Sequence, residues 1–348
     1  MTRIVIVSAR VGAGHDGAAY ALAERLGHHD VEVLDFLDLL PRSLGRRLCD
    51  LYHRQLEVAP RSWDWTLRAL NTAGPARLAA RAATLACDRL RTVLGDGPDL
   101  AISTYPLATH ALGALRARST LTAPLAVYLT DPSVHRLCVS SIADLHLAPN
   151  QDAGAQALAW GARQVDVAAP LVRTRFRPAT SAERSRARQE FALPPTGRLA
   201  LVVAGSWGVG QVAETACDVA ASGAAVPVVV CGRNTALRDQ LLADGYPHVF
   251  GWVEDMASLM HAVDAVVQNA GGLTTSEALA AGLPVVTYRC LPGHGRANAV
   301  VLDRIGVVPW IRSAGDLATV LAAARPPAFA ALPAGDPVPL LEKLLEVA

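Results

Sequence analysis

Residues 264–288 read DAVVQNAGGLTTSEALAAGLPVVTY, and the reading of this stretch decides the fold. Asp264 to Gln268 is a short β-branched run of strand character, and Asn269-Ala270-Gly271-Gly272 is a turn. Leu273 to Ala281 has helix-forming composition; Gly282 and Pro284 close it, and Pro284 to Tyr288 reads as the next strand. A strand, a tight glycine turn, a helix and a strand in such a short span form the compact unit of a parallel α/β sheet. Two glycines at a helix N-terminus let backbone N–H groups approach an anion, and the helix dipole favours its charge. A phosphate site is the natural expectation here.

Within that helix, Thr274 and Glu277 stand three apart near its start. This spacing is that of a capping box, in which each side chain satisfies a backbone donor of the first turn. A carboxylate one turn in from a diphosphate has a second possible role, accepting hydrogen bonds from ribose hydroxyls. Spacing does not separate the two.

The string N-A-G-G-L-T-T-S-E-A-L-A-A-G-L-P, residues 269–284, resembles the donor-nucleotide motif of two-domain glycosyltransferases that use UDP-sugars. The branch it resembles is that of the monogalactosyldiacylglycerol synthases and the processive diacylglycerol glucosyltransferases, of the glycosyltransferase family 28 type. The peptidoglycan glycosyltransferase that forms lipid II is a more distant likeness. The resemblance implies the α/β fold called GT-B, two Rossmann-like domains with parallel sheets facing across a cleft. It also implies donor contacts at Asn269, Gly271, Gly272, Leu273, Thr274 and Glu277.

Composition sets the outer bounds. At 348 residues the chain is long enough for two domains with separate cores, and 51% hydrophobic with 18% charged residues marks a globular protein. A net charge of +1 gives no global pull toward nucleic acid. The six cysteines are scattered without a Cys-x-x-Cys pair, which argues against a disulfide or metal framework and for a reducing cytosol. The apolar run at the N-terminus is too short for a signal peptide, and no stretch approaches the roughly 18 apolar residues of a spanning helix.

In the first half, Ile4 to Ser8 is a buried-type strand leading to Gly12-Ala13-Gly14-His15-Asp16-Gly17 and an Ala-rich helix over Ala18 to Leu26; Val31 to Asp35 is the next strand. Gly12, Gly14 and Gly17 form a G-x-G-x-x-G fingerprint, with Asp35 about where a ribose-binding acid belongs, so an NAD-dependent oxidoreductase competes. In the glycosyltransferase reading the same loop resembles the family's G-x-G-H loop. Gly14 then faces the donor and His15 projects an imidazole that accepts a proton from an attacking hydroxyl or binds a sugar. A purely structural loop histidine is the alternative. His28 and His29 lie at a helix exit and read as surface residues.

Residues 42–92 carry ten arginines against Asp50, Glu57, Asp64 and Asp88, a local charge of 10 − 4 = +6, interleaved with Leu51, Tyr52, Trp63, Trp65 and Leu67. Basic helices with aromatic residues suit an anionic membrane surface, although ordinary helices with solvated arginines have the same composition. LYHRQLEVAPRSWDWTLRALN resembles the helical insert that lipid-glycosylating members use near the acceptor, which implies acceptor contacts at Trp63 and Trp65. Asp99 to Thr104 is a strand ending in Tyr105-Pro106, with Tyr105 a further acceptor candidate. Leu125 to Thr130 is another strand, running into Thr130-Asp131-Pro132-Ser133-Val134-His135. This resembles the family's T-D-x-x-V-H element, in which Asp131 orients a base or acts as one and His135 meets acceptor or phosphate. An Asp before Pro is equally a turn starter.

The polar stretch Arg173 to Arg198 contains one helical patch, Ala182 to Phe191, and the domain boundary is expected near Val172. The first domain is thus 1–172 with a helical insert at 42–92, the second 173–334. The tail, 335–348, with a final helix over Leu340 to Val347, is expected to pack back across the domains after a Pro-rich segment at 325–339. Leu199 to Ala204 restarts a sheet and delivers Gly205-Ser206-Trp207-Gly208-Val209-Gly210 before the helix Val212 to Ala221. By resemblance Gly205, Ser206, Trp207 and Gly208 face the donor diphosphate, while Gly251-Trp252-Val253 reads the base edge. Where relatives carry Pro-Gly-Gln-Glu-like residues on the donor sugar, this chain has Pro292-Gly293-His294-Gly295-Arg296-Ala297-Asn298. The resemblance places His294, Gly295, Arg296 and Asn298 there, and the change at His294 and Gly295 leaves the sugar open.

No Asp-x-Asp pair occurs, so a metal clamp and a cofactor are not expected; glycine-loop amides are to stabilise the departing UDP instead. The expected activity is inverting transfer of a sugar from a UDP-sugar to a hydroxyl of a lipid or other hydrophobic acceptor. The catalytic residues are then His15 and Asp131, and no nucleic-acid partner is expected. A cytoplasmic protein with peripheral contact at the inner face of the plasma membrane follows. Besides the oxidoreductase, a UDP-sugar 2-epimerase on the same fold and a non-catalytic sugar-nucleotide sensor stay open.

Overall fold

The computed structural model describes residues 1–326 and 335–346. The chain divides into two compact units: Met1–Gln55, Arg61–Arg173 and the C-terminal helix form the first, and the chain from Thr174 onward, with Leu56–Pro60, forms the second.

The first unit begins with β1 (Arg3–Ser8), α1 (Gly14–Arg25), β2 (Asp30–Asp35) and a single turn, α2 (Phe36–Leu39). Four helices follow without a strand: α3 (Leu44–Val58), α4 (Ser62–Leu70), α5 (Ala73–Ala83) and α6 (Cys87–Leu94). Then come β3 (Leu100–Ser103), α7 (Pro106–Ala117), β4 (Leu125–Tyr128), β5 (Leu145–Ala148), α8 (Gln151–Ala159) and β6 (Val165–Val167). All strand pairs are parallel, in the order β2-β1-β3-β4-β5-β6. Alternation along β1 explains its wholly apolar sequence: Val5 and Val7 enter one core, with α6 and α7, while Ile4 and Ile6 enter another. The chain starts inside the sheet, runs out to β2 and returns past β1 to β3. Order therefore reverses between β1 and β3, and the C-terminal ends of strands at such a point are where open α/β sheets bind ligands.

The second unit repeats the plan. Its elements are α9 (Ser181–Glu190), β7 (Leu199–Val203), α10 (Val212–Ala221), β8 (Val226–Val230), α11 (Thr235–Ala243), β9 (Val249–Phe250) and α12 (Met256–Ala262). They continue with β10 (Ala265–Gln268), α13 (Gly272–Ala280), β11 (Val285–Tyr288), α14 (His294–Arg304), β12 (Trp310–Ile311) and α15 (Leu317–Ala323). The order is β12-β11-β10-β7-β8-β9, again parallel, and reverses between β7 and β10. α16 (Val338–Glu346) belongs to the first unit, where Val338 and Leu341 join the core of Ile4, Ile6, Leu22 and Leu26. Of the proline-bearing segment expected at 325–339, residues 327–334 lie outside the described residues, as does Val347 of the expected final helix.

A repeated device sets strand register in both sheets. Asp99, just before β3, accepts from the amide of Arg3 at the start of β1 (2.7 Å). Asp144, before β5, does the same for Leu125 of β4 (2.8 Å), and Asp264, before β10, for Leu199 of β7 (2.8 Å). Asp264 also receives Arg184 (2.6 Å) and the buried Arg188 (2.9 Å) of α9, so the helix expected in a linker is docked onto the second sheet. The capping box is found there as well, between Thr180 and Glu183. It is not found at Thr274: α13 starts at Gly272 with Gly271 as its N-cap, which puts Thr274 inside the first turn.

Candidate active site

In the first unit the β1–α1 connection and the end of β3 meet at the switch point. Gly12 takes a left-handed conformation (φ 76°), and α1 already begins at Gly14, four residues before the expected start. His15 is therefore a residue of the first helical turn and not of a loop. Its Nδ1 lies 2.6 Å from the carbonyl oxygen of Thr104 and 3.3 Å from Oγ1 of Thr130, beyond the ends of β3 and β4. A carbonyl only accepts, so Nδ1 carries the proton and the lone pair of the neutral ring is on Nε2, as a general base requires. Tyr105 packs its ring edge-on to the imidazole, with centroids 5.2 Å apart, and Phe36 backs Tyr105 at 5.8 Å.

The next residue, Asp16, accepts from the Ser8 hydroxyl (2.6 Å), and burial foremost raises its carboxyl above the usual range. Asp35, the ribose acid of the dinucleotide reading, is otherwise engaged. One oxygen caps α2 at the Leu37 amide (2.8 Å), and the other pairs with Arg10.

Asp131 is half-buried just past the end of β4. The Tyr52 phenol is raised by burial and then by the charge of Asp131. Trp63 packs against Tyr52 with centroids 4.7 Å apart and the rings tilted by 57°, so the helical insert contributes an aromatic pair to this unit. Trp65 is 72% exposed, with Arg68 over its ring. His135 is half-buried and places Nε2 3.3 Å from the Cys138 thiol.

In the second unit the two glycine loops occupy the β7/β10 switch point. Gln268, buried at the end of β10, is held by Thr287 of β11 (3.0 Å) and accepts from the Gly271 amide (2.7 Å). Ala270 is left-handed (φ 76°), and the buried Asn298 of α14 donates to its carbonyl (3.1 Å). Asn269 donates to Val209 of the other glycine loop (3.1 Å). These three amides fix the turn, and α13 opens from it with the N–H groups of Gly272, Leu273 and Thr274 lacking intrahelical acceptors. Glu277 lies half-buried one turn further along.

The Gly205–Gly210 loop is shaped by close approach. A Cβ at Gly208 would stand 2.2 Å from the Cys231 carbonyl oxygen, and one at Gly232 2.4 Å from that of Ser206. Ser206 accepts from the Arg233 amide (2.9 Å), and Asn234 donates to Gly208 (3.2 Å). Gly205 is exposed, and Ser206 and Trp207 are half-buried. Trp252 is 48% exposed with the Arg233 guanidinium 4.7 Å over its ring, and Val253 beside it is half-buried. His294, half-buried, and exposed Arg296 sit in the first turn of α14. Gly295 is buried, and a Cβ there would stand 3.0 Å from the Leu291 side chain and 3.2 Å from the Asn269 carbonyl oxygen.

Thr104, Thr130, Tyr52, Gln268 and Arg233 carry no role assigned from sequence. Thr130 and Tyr52 lie inside quoted stretches and Thr104 and Gln268 end expected strands, but they become neighbours of the site only through the fold.

The sequence profile of the monogalactosyldiacylglycerol (MGDG) synthase family matches residues 15–169. A processive diacylglycerol β-glucosyltransferase of Bacillus cereus (strain B4264) is 27% identical over 326 residues, covering 89% of this chain and 82% of the relative. The corresponding enzyme of Bacillus cytotoxicus is 25% identical over 332 residues, covering 90% and 83%. Among solved structures, MurG of Acinetobacter baumannii superposes with a TM-score of 0.54 at 19% identity, covering 93% of this chain and 90% of that one. Anabaena Alr3699/HepE, solved with UDP and glucose, gives 0.54 at 16% identity, covering 93% and 89%. Likeness that runs along most of the chain in both sequence and fold makes this protein a glycosyltransferase with the GT-B fold, similar in sequence to the monogalactosyldiacylglycerol synthases and the processive diacylglycerol glucosyltransferases.

Proposed function

We propose that the protein transfers a hexose from a UDP-sugar to a hydroxyl of a lipid or similarly hydrophobic acceptor, with inversion and without a metal ion. The observation that carries this reading is the turn Asn269–Gly272, fixed by three side-chain amides so that the N-terminus of α13 offers its N–H groups at the β7/β10 switch point. That arrangement suits a diphosphate, and its dipole stabilises the negative charge gained by the leaving group. Glu277 is assigned to the ribose, Trp252 and Val253 to the base, and His294 and Arg296 to the sugar side of the donor. Asn298 and Gly295 act as positioning residues behind the turn.

In the transfer step the acceptor oxygen attacks the anomeric carbon as its proton passes to Nε2 of His15. The bond from that carbon to the phosphate oxygen breaks, and UDP leaves with the electron pair. Asp131 supports the imidazolium or the acceptor hydroxyl. Tyr105, His135, Trp63 and Trp65 are assigned to the acceptor. A lipid acceptor is supported by the names of the Bacillus relatives and by the arginine-bearing helices α3 to α5, which expose Leu51, Val58, Trp65 and Leu78. No helix among the described residues is long and apolar enough to cross a membrane. Peripheral attachment to an anionic cytoplasmic leaflet is the proposed location.

The engagement of Asp35 with α2 and Arg10 disfavours the dinucleotide reading. The test is a thermal-shift panel of UDP-, GDP- and dTDP-sugars with NAD(P), followed by turnover of His15→Ala. The expected result is stabilisation by UDP-sugars alone, with transfer abolished and UDP affinity nearly unchanged in the variant. Retention of more than about a tenth of the wild-type rate would remove His15 as the base. Conversion of donor without acceptor would identify an epimerase instead.

A further inference from the structure

Away from both glycine loops, the exit of α1 meets α16. Leu22 and Leu26 pack with Val338 and Leu341, and Arg25 pairs with Asp336. Beside this seam three ligand-type side chains converge. Nε2 of His28 lies 2.7 Å, and Nε2 of His29 3.6 Å, from the same carboxylate oxygen of Glu342. The two imidazoles are 4.1 Å apart, and the candidate donor atoms of all three residues lie within 4.8 Å of one another.

Two features separate this cluster from an ordinary surface contact. His29, read from sequence as a surface residue, is only 16% exposed in its side chain, and its Nε2 is buried without a hydrogen bond. A buried ring nitrogen without a partner is costly. Moreover, the Nε2 atoms of two imidazoles converge on one carboxylate oxygen. A divalent ion accounts for both features, because each neutral ring offers it a lone pair and the carboxylate offsets part of its charge. With bonds of about 2.0–2.1 Å, ligand atoms around tetrahedral zinc stand roughly 3.3 Å apart. The observed 2.7 and 3.6 Å separations bracket that spacing.

We infer that His28, His29 and Glu342 form a site for a divalent transition-metal ion, zinc foremost, which clips α16 onto the exit of α1. Two nitrogens and one carboxylate match zinc and its neighbours, whereas calcium and magnesium prefer all-oxygen shells. Three protein ligands leave a fourth position for water. The site is structural: it fastens the end of the chain to its first helix and takes no part in sugar transfer.

The test uses the full chain, stripped with a chelator and then titrated with Zn²⁺ and Co²⁺ by calorimetry and thermal unfolding. The expected result is one bound ion with a rise in Tm, and a Co²⁺ visible spectrum free of the thiolate charge-transfer absorption that a cysteine site gives. His29→Ala and Glu342→Gln should each weaken binding about tenfold or more. Asp336→Asn removes the neighbouring ion pair but no ligand, so it should lower the starting Tm and preserve the metal-induced rise. No rise in the wild type, unaltered binding by Glu342→Gln, or a dominant thiolate spectrum would overturn the inference.

Discussion

Nδ1 of His15 lies 2.6 Å from the main-chain carbonyl oxygen of Thr104, so the tautomer of the proposed base is set by backbone. Replacing the Thr104 side chain leaves that carbonyl in place. The Thr104 hydroxyl is also buried without a partner, and valine is nearly its shape. Thr104→Val should therefore keep kcat within about threefold of wild type and raise stability modestly. Steady-state kinetics with a melting curve decides it. A hundredfold loss would mean that the side chain, and not the carbonyl, directs the ring.

Asn298 is fully buried and donates to the carbonyl of left-handed Ala270. Asn298→Ala strands that carbonyl and should cost about 1–3 kcal/mol in unfolding free energy. UDP affinity should fall with it, because the turn that opens α13 loses its brace. Asn298→Asp opposes two acceptors and should do no better. Calorimetric UDP binding at wild-type strength in both variants would show that the turn holds without this amide.

Gly295 faces Leu291 and Asn269 at distances a Cβ would reduce to 3.0 and 3.2 Å. Alanine gains up to about 1 kcal/mol of helix propensity. Overpacking costs about 1–3 kcal/mol, so the crowding should prevail. Gly295→Ala is expected to lower Tm slightly and to weaken UDP binding several-fold by pushing Asn269 off Val209. An unchanged dissociation constant would mean that α14 shifts without disturbing the turn.

His146 of β5 is wholly buried, accepts from the Ser140 amide (3.3 Å), and is pushed down to about 4 by burial. Its folded value is below that of the unfolded chain, near 6.5. As pH falls the unfolded chain therefore binds the proton first. The stability at stake is intact above about pH 6.5 and is lost progressively toward pH 4, a swing on the order of 3 kcal/mol. Urea unfolding across that range should show a steeper decline for wild type than for His146→Gln, which stays neutral throughout. Parallel curves would exclude His146 as the source.

The apolar run of β1 and the glycine turns were legible in the sequence because each is a pattern over a few residues, whereas the aspartates ahead of β3, β5 and β10 set register across 96, 19 and 65 positions. Local pattern likewise located α10 to the residue and α9 to within one. It misplaced the start of α1, since Gly14 and His15 are weak helix formers that the helix takes in nonetheless. It also offered Thr274 and Glu277 as a capping box, when Gly271 is the cap.

By itself, then, the sequence determined two parallel α/β units, the glycine turns at their strand ends and the residue types that bear the chemistry. The tertiary structure decided what those residues meet. Thr104 faces His15 across 89 positions, Asn298 reaches Ala270 across 28, and Glu342 joins His28 across 314. The physical reason is that hydrogen-bond partners at sheet ends are chosen by strand order. Strand order follows from how apolar faces pack, and no window of neighbouring residues contains that information.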